Sequence, residues 1–195
     1  MKQMTRHIIL LLTFSLLLAV TVAAQRISFG LYAANDIVLA PLISNELNFN
    51  ENHPVILAGE TVTVNLTDNS VYILTIKGRT DLDITVTIDA PPTLDLDTTH
   101  IRLALRFAYS NTGGSVETNA KVQIPKDFTS ATFPISRRLS GLPAPPPTPN
   151  HAGYIAPPTG TAYLFVYGTL GPVPKYAAAG LYTGTINIRV EYAKY

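Results

Sequence analysis

An all-β protein is predicted by three features of this 195-residue chain. Apolar and polar residues alternate with a period of two in segment after segment, and nothing beyond residue 24 shows helical spacing. Thr, Val, Ile, Leu and Tyr are plentiful, while charged residues make up only 14%, a composition suited to half-buried pleated surfaces. Cysteine is absent, so stability must come from packing and strand pairing. Thiol catalysis, disulfide cross-linking and lipid attachment through a cysteine are excluded with it.

The first 24 residues read as a signal peptide. Lys2 and Arg6 precede an apolar run from Ile8 to Val22, and Val22-Ala23-Ala24 has the small-residue pattern of a cleavage site before Gln25. A spanning helix competes with this reading, because Ile8 to Ala24 approaches the minimum of roughly 17 residues; the ordered charged, apolar and cleavage regions favour export without stable membrane insertion. Cleavage leaves 171 residues, enough for one domain, 25–195, with 12 basic residues against 13 acidic ones. A net charge near −1 gives no support to nucleic acid or an anionic membrane as a partner.

The strands follow in order. Ile27, Phe29 and Leu31 alternate with Arg26, Ser28 and Gly30, and a short apolar piece at 37–39 precedes Pro41. After "NELNFN" at 45–50, the segment "ETVTVNLT" at 60–67 places Val62, Val64 and Leu66 on one face. The turn at 68–70 leads into "VYILTIKG" at 71–78, apolar on both sides and so covered on both. "DITVTID" at 83–89 alternates through Ile84, Val86 and Ile88 until Pro91-Pro92 ends it. "HIRLALRFAYS" at 100–110 puts Ile101, Leu103, Leu105, Phe107 and Tyr109 on one face, with Arg102 and Arg106 on the other. A turn cluster at 111–115 follows, then shorter strands near 120–124 and 130–135.

Residues 141–158 hold seven of the chain's 15 prolines. Proline lacks the ladder donor and favours polyproline II, so this stretch is a long extended loop between strands. "TAYLFVYGTL" at 161–170 and a closing strand to Tyr192 complete the set. Strands without helices must pack sheet on sheet or close into a barrel. An immunoglobulin-like two-sheet sandwich with Greek-key connections and one long Pro-rich loop is the expected fold. A membrane barrel would need strands of about 10 residues with an apolar outer band, and several segments here are too short.

Two stretches carry a family resemblance. Residues 47–96, "LNFNENHPVILAGETVTVNLTDNSVYILTIKGRTDLDITVTIDAPPTLDL", and residues 164–192, "LFVYGTLGPVPKYAAAGLYTGTINIRVEY", resemble secreted bacterial β-sandwich domains of the spore coat protein U and chaperone-usher pilin group. The ending is the more specific, with Gly180, Tyr182 and Gly184 at fixed places before an alternating strand. The chain departs from the group in having no cysteine pair and in its 141–158 loop. The resemblance implies assembly by β-strand addition, in which a periplasmic chaperone and then a neighbouring subunit's N-terminal extension complete the fold.

On that reading Ile27, Phe29 and Leu31 form a candidate donor strand, whose other role is as first strand of its own sandwich. Tyr182, Ile186, Ile188, Val190 and Tyr192 form a closing strand expected to leave an open backbone edge, with the Tyr182 hydroxyl anchoring a corner. His151 and Tyr154 in the Pro-rich loop are candidate contacts for a glycan or protein.

Other chemistry has weak signals. Asp81, Asp83, Asp89, Asp95 and Asp97 lie close together without a calcium-loop pattern and read as surface acids. His53, His100 and His151 show no metal-ligand spacing. No nucleophile elbow, phosphate loop or zinc-protease motif is present. Arg102 with Arg106, and Arg137 with Arg138, can meet an acidic glycan or a neighbour's carboxylates, or simply face solvent. The Asn65-Leu66-Thr67 acceptor triplet is a chance match in a chain with bacterial features. The expected function is therefore non-enzymatic and free of cofactors: an exported cell-surface structural or adhesive subunit that self-associates. The alternative is a monomeric secreted binding module using the 141–158 loop.

Overall fold

The computed structural model describes residues 23–34, 36–42, 46–49, 56–113, 121–137 and 158–194. All of its regular structure is β. The strands are β1 (Ala23–Ala33), β2 (Val38–Pro41), β3 (Glu46–Leu47), β4 (Val62–Val64), β5 (Tyr72–Arg79) and β6 (Asp83–Asp89). They continue as β7 (Thr93–Leu96), β8 (Thr99–Ser110), β9 (Val122–Gln123), β10 (Ser130–Pro134), β11 (Thr159–Leu170) and β12 (Gly180–Tyr192). Among the described residues no helix is long and apolar enough to cross a membrane.

The strands form one curled sheet that runs β10-β6-β12-β7-β8-β11-β5-β2. β8 makes the curl possible because its two ends have different partners. Thr99 to Arg102 pair with β7, whereas Leu103 to Ser110 pair with β11. A strand that changes partners part-way is a recognised way for a sheet to turn a corner. On one side of this corner β12 pairs with β6 and β10 follows. On the other, β11 pairs with β5 over Thr159 to Val166 and with β4 over Gly168 to Leu170.

Period-two alternation decides what faces inward. Ile84, Val86 and Ile88 of β6 and Ile186, Ile188 and Val190 of β12 are buried, and so are Leu74, Ile76, Leu164 and Val166 across the curl. All of these belong to one contiguous cluster. Aromatic pairs link strands that are not hydrogen-bonded neighbours. Phe29 of β1 stacks on Tyr72 of β5 with ring centroids 3.6 Å apart, and Tyr109 of β8 stacks on Phe133 of β10 at 4.0 Å. The Tyr192 hydroxyl of β12 accepts from the Arg79 backbone N–H at 3.1 Å, a contact that has no room for a side chain at neighbouring Gly78.

Three expectations are corrected. The strand expected over 60–67 shortens to Val62–Val64, because the Asp68 carboxylate accepts from the Asn65 backbone N–H at 2.6 Å and turns the chain. β7 is a separate strand in a hairpin with β8, closed by a two-residue connection in which Asp97 takes φ 49°. Aspartate tolerates that left-handed conformation better than most residues. The closing strand is not an edge: β12 has β6 and β7 on one flank and β1 along the other. The margin it would otherwise leave is filled by the chain's own first described strand, the alternative role given above to Ile27, Phe29 and Leu31.

Candidate functional site

The seam between β1 and β12 is the longest pairing among the described residues. It is parallel, and its register runs unbroken from Ala23 opposite Gly180 to Ala33 opposite Val190. The Ala34 N–H extends it by donating to the Val190 carbonyl at 3.0 Å. Parallel pairing needs a long connection between the two strands, and here almost the whole chain supplies it. Cleavage after Ala24 would keep the register from Gln25 onward.

The donor-strand candidates take the inward positions of β1. Ile27 is fully buried, Phe29 is buried, and Leu31 is half-buried against the core. Ile27 lies opposite Gly184, Phe29 opposite Ile186 and Leu31 opposite Ile188. Their burial stabilises by roughly 4–7.5 kcal/mol together, taking about 1.5–3 for each full side chain and half of that for Leu31. Typical domains have only about 5–15 kcal/mol of net stability, so β1 carries a large share.

The outward positions add polar contacts. Ser28 Oγ lies 3.1 Å from Thr185 Oγ1, directly across the seam. Arg26 Nε donates to Glu46 Oε1 at 3.0 Å, an exposed ion pair that brackets the short β3 pairing of Ile27 with Leu47. β3 covers only Ile27 and Ser28, so the outer backbone edge of β1 beyond Ser28 has no ladder partner among the described residues. The sheet's open margin has thus moved from β12 to β1.

The closing strand's motif has a physical reason at each position. A Cβ on Gly180, whose φ is 157°, would come within 2.6 Å of Leu96 Cδ2. A Cβ on Gly184 would come equally close to Leu94 Cδ2, and Leu94 is fully buried. Tyr182 between them is fully buried, with its hydroxyl 2.9 Å from Thr99 Oγ1 and 3.0 Å from the Ala178 carbonyl. The Tyr182 hydroxyl thus ties the start of β12 to Thr99 of β8 and to the segment just before β12. Ile186, Ile188 and Val190 are buried and Tyr192 is half-buried.

The other candidates do not converge. His151, Tyr154, His53 and residues 141–157 lie outside the described residues. The acidic cluster disperses: Asp81 pairs with Arg79 at 2.6 Å, Asp95 with His100 Nδ1 at 2.7 Å, and Asp97 sits in the hairpin connection. His100 and Thr93 hold the Asp95 carboxyl below the ordinary range by hydrogen bonding to it. Burial pushes the Tyr72 phenol up. No group of three His, Asp or Glu side chains able to hold a metal occurs among the described residues. Pairing of Arg26 with Glu46 was beyond sequence reasoning, since nothing in the alternation marks which distant strand lies alongside.

No protein-family model matches the chain. No curated protein matches its sequence either.

Proposed function

We propose that the chain is an exported, non-enzymatic structural subunit of the cell surface, built as an immunoglobulin-like two-layer sandwich and assembled by β-strand addition. The single observation that carries this reading is the β1–β12 seam. An extended segment near the N-terminal end completes the core by inserting Ile27, Phe29 and Leu31 beside the last strand. In an assembly, β1 of one copy takes the same place beside β12 of the next, in the same register. Such an exchange needs no new interface, because every contact is already made within one chain. The aromatic stacking across the curl supports two packed layers, and the partner change within β8 supports crossing connections. A periplasmic chaperone fits this scheme as a temporary occupant of the β1 position.

The absence of cysteine makes the test direct. Ser28→Cys and Thr185→Cys are placed in separate molecules, mixed in denaturant and refolded together at about millimolar concentration. The double variant in one chain is the control for geometry, since the two side chains already touch across the seam. A disulfide-linked heterodimer of the two single variants is the expected product. If the double variant closes its internal disulfide while the mixture yields only monomers, strand exchange is refuted.

A further inference from the structure

We propose that the outward face of β8 and β11 is a binding site for an acidic polysaccharide, read through its carboxylate or sulfate groups. The site is an open cleft of about 290 Å³ lined by Arg102, Ala104, Leu105, Arg106, Lys126, Thr169 and Gly171. β8 supplies Arg102 and Arg106 at exposed outward positions with the small Ala104 between them. β11 places Thr169 opposite Ala104 and Tyr167 opposite Arg106. The Gly171 N–H donates to the Arg102 carbonyl at 2.9 Å and fixes one end of the cleft. Lys126 arrives from the segment after β9, 20 residues beyond Arg106 in the chain, so this convergence is a product of folding.

The charge at this cleft is uncompensated among the described residues. Arg26, Arg79 and Arg189 each have an acidic partner, but neither Arg102, Arg106 nor Lys126 has one among the described residues. Asp127 follows Lys126 in sequence without forming an ion pair with it. The Glu60 backbone carbonyl lies beside Gly171, and the Glu60 carboxylate accepts from the Leu57 N–H at 2.8 Å. Three cations without an acidic partner among the described residues, on a chain with a formal charge of only +1, are a concentrated feature. The Arg106 charge is felt locally, opposing the rise that burial produces in the Tyr167 phenol.

The shape selects the ligand class. Arg102 and Arg106 are four residues apart on one strand, about 13 Å at 3.3 Å per residue. That spacing suits a polymer with repeated charges better than one small anion. The floor of Ala104, Thr169 and Gly171 offers hydroxyl and backbone groups but no deep apolar socket for a peptide anchor. Guanidinium forks pair bidentately with planar carboxylates and with sulfates. This site is remote from the β1–β12 seam in function, and its occupation does not depend on strand exchange.

The test uses the purified protein and two immobilised probes, heparin for sulfate and polygalacturonate for carboxylate, with dextran as the neutral control. Binding to at least one polyanion is expected, weakening steeply as salt is raised. The Arg102→Gln/Arg106→Gln variant should lose about tenfold or more in affinity, and Lys126→Gln should lose less. Arg189→Gln, an exposed arginine elsewhere, should change nothing, and circular dichroism should show all variants folded. Heparin binding alone identifies sulfate as the recognised group, and polygalacturonate binding alone identifies carboxylate. The proposal is overturned if neither probe binds or if the double arginine variant binds like the parent.

Discussion

Truncating Phe29 to alanine should destabilise the protein far more than its place near a chain end suggests. The ring is buried, lies opposite Ile186, and stacks on Tyr72 at 3.6 Å with an interplanar angle of 5°. Core Phe→Ala changes cost about 3–5 kcal/mol, of which the lost ring pair accounts for about 0.5–1.5. With a urea slope of about 2 kcal/mol per molar, a loss near 4 kcal/mol lowers the unfolding midpoint by about 2 M. Tyr32→Ala is the control, since Tyr32 lies on the same strand and is 54% exposed; it should change stability by less than about 0.5 kcal/mol. Leu31→Ala should fall between, at about 1–2 kcal/mol, because Leu31 is only half-buried. The assay is equilibrium urea unfolding followed by far-ultraviolet circular dichroism. Equal midpoints for Phe29→Ala and Tyr32→Ala would show that β1 is not part of the cooperative core, and the seam argument would fail with it.

The remaining predictions concern the closing strand and one titrating pair. Gly184→Ala should cost about 1–3 kcal/mol by crowding the buried Leu94, whereas Gly168→Ala should cost more, because its Cβ would overlap the backbone carbonyl of Ala104; thermal unfolding of the two variants ranks them. Tyr182→Phe should lose about 1 kcal/mol, a drop of about 2–4 °C in Tm, by leaving the Ala178 carbonyl without its donor. Asp95 should titrate below the ordinary 3.8 because His100 and Thr93 hydrogen-bond to it. A depressed folded-state pKa means that its contribution to stability is present above 3.8 and is lost as pH falls through the lower folded value. His100→Gln should move the Asp95 titration back up, as read by carboxyl NMR.

The strands were legible in the sequence because one buried face imposes alternation, and 83–89 and 100–110 match β6 and β8 almost residue for residue. At 60–67 the alternation continues past the end of β4 and hides the side-chain bond from Asp68 that ends the strand. The independence of β7 has no sequence signal, because its turn is made by Asp97 and Thr98 without the glycine that usually marks a hairpin. Strand partners were not legible at all. Ser28 and Thr185 touch across 157 positions of sequence, and nothing local to either records the pairing. The same holds at the candidate sites. Gly180, Tyr182 and Gly184 stood out as a pattern, but the reasons for them, Leu96, Thr99 and Leu94, all come from the β7–β8 hairpin. Arg102 and Arg106 could be placed on one face from alternation alone, while Lys126 reaches that face only through the fold.

Strand exchange, on the reading proposed above, is a competition between identical contacts. Closing β1 on its own β12 or on a neighbour's buries the same Ile27, Phe29 and Leu31, so the balance rests on what differs between the two states. One difference is effective concentration, which for a short tether is in the millimolar range. Another is the link from β1 to β2, where Asp36 sits at φ 69°. A left-handed conformation costs a residue other than glycine about 1–2 kcal/mol, less for aspartate, and about 1 kcal/mol is a factor of about five. That strain lowers the advantage of the closed chain without removing it. A free subunit at micromolar concentration therefore keeps β1 in its own groove. On that reading polymer growth requires something that holds β1 out and the groove filled until the next copy arrives, the part that the proposed function gives to a periplasmic chaperone.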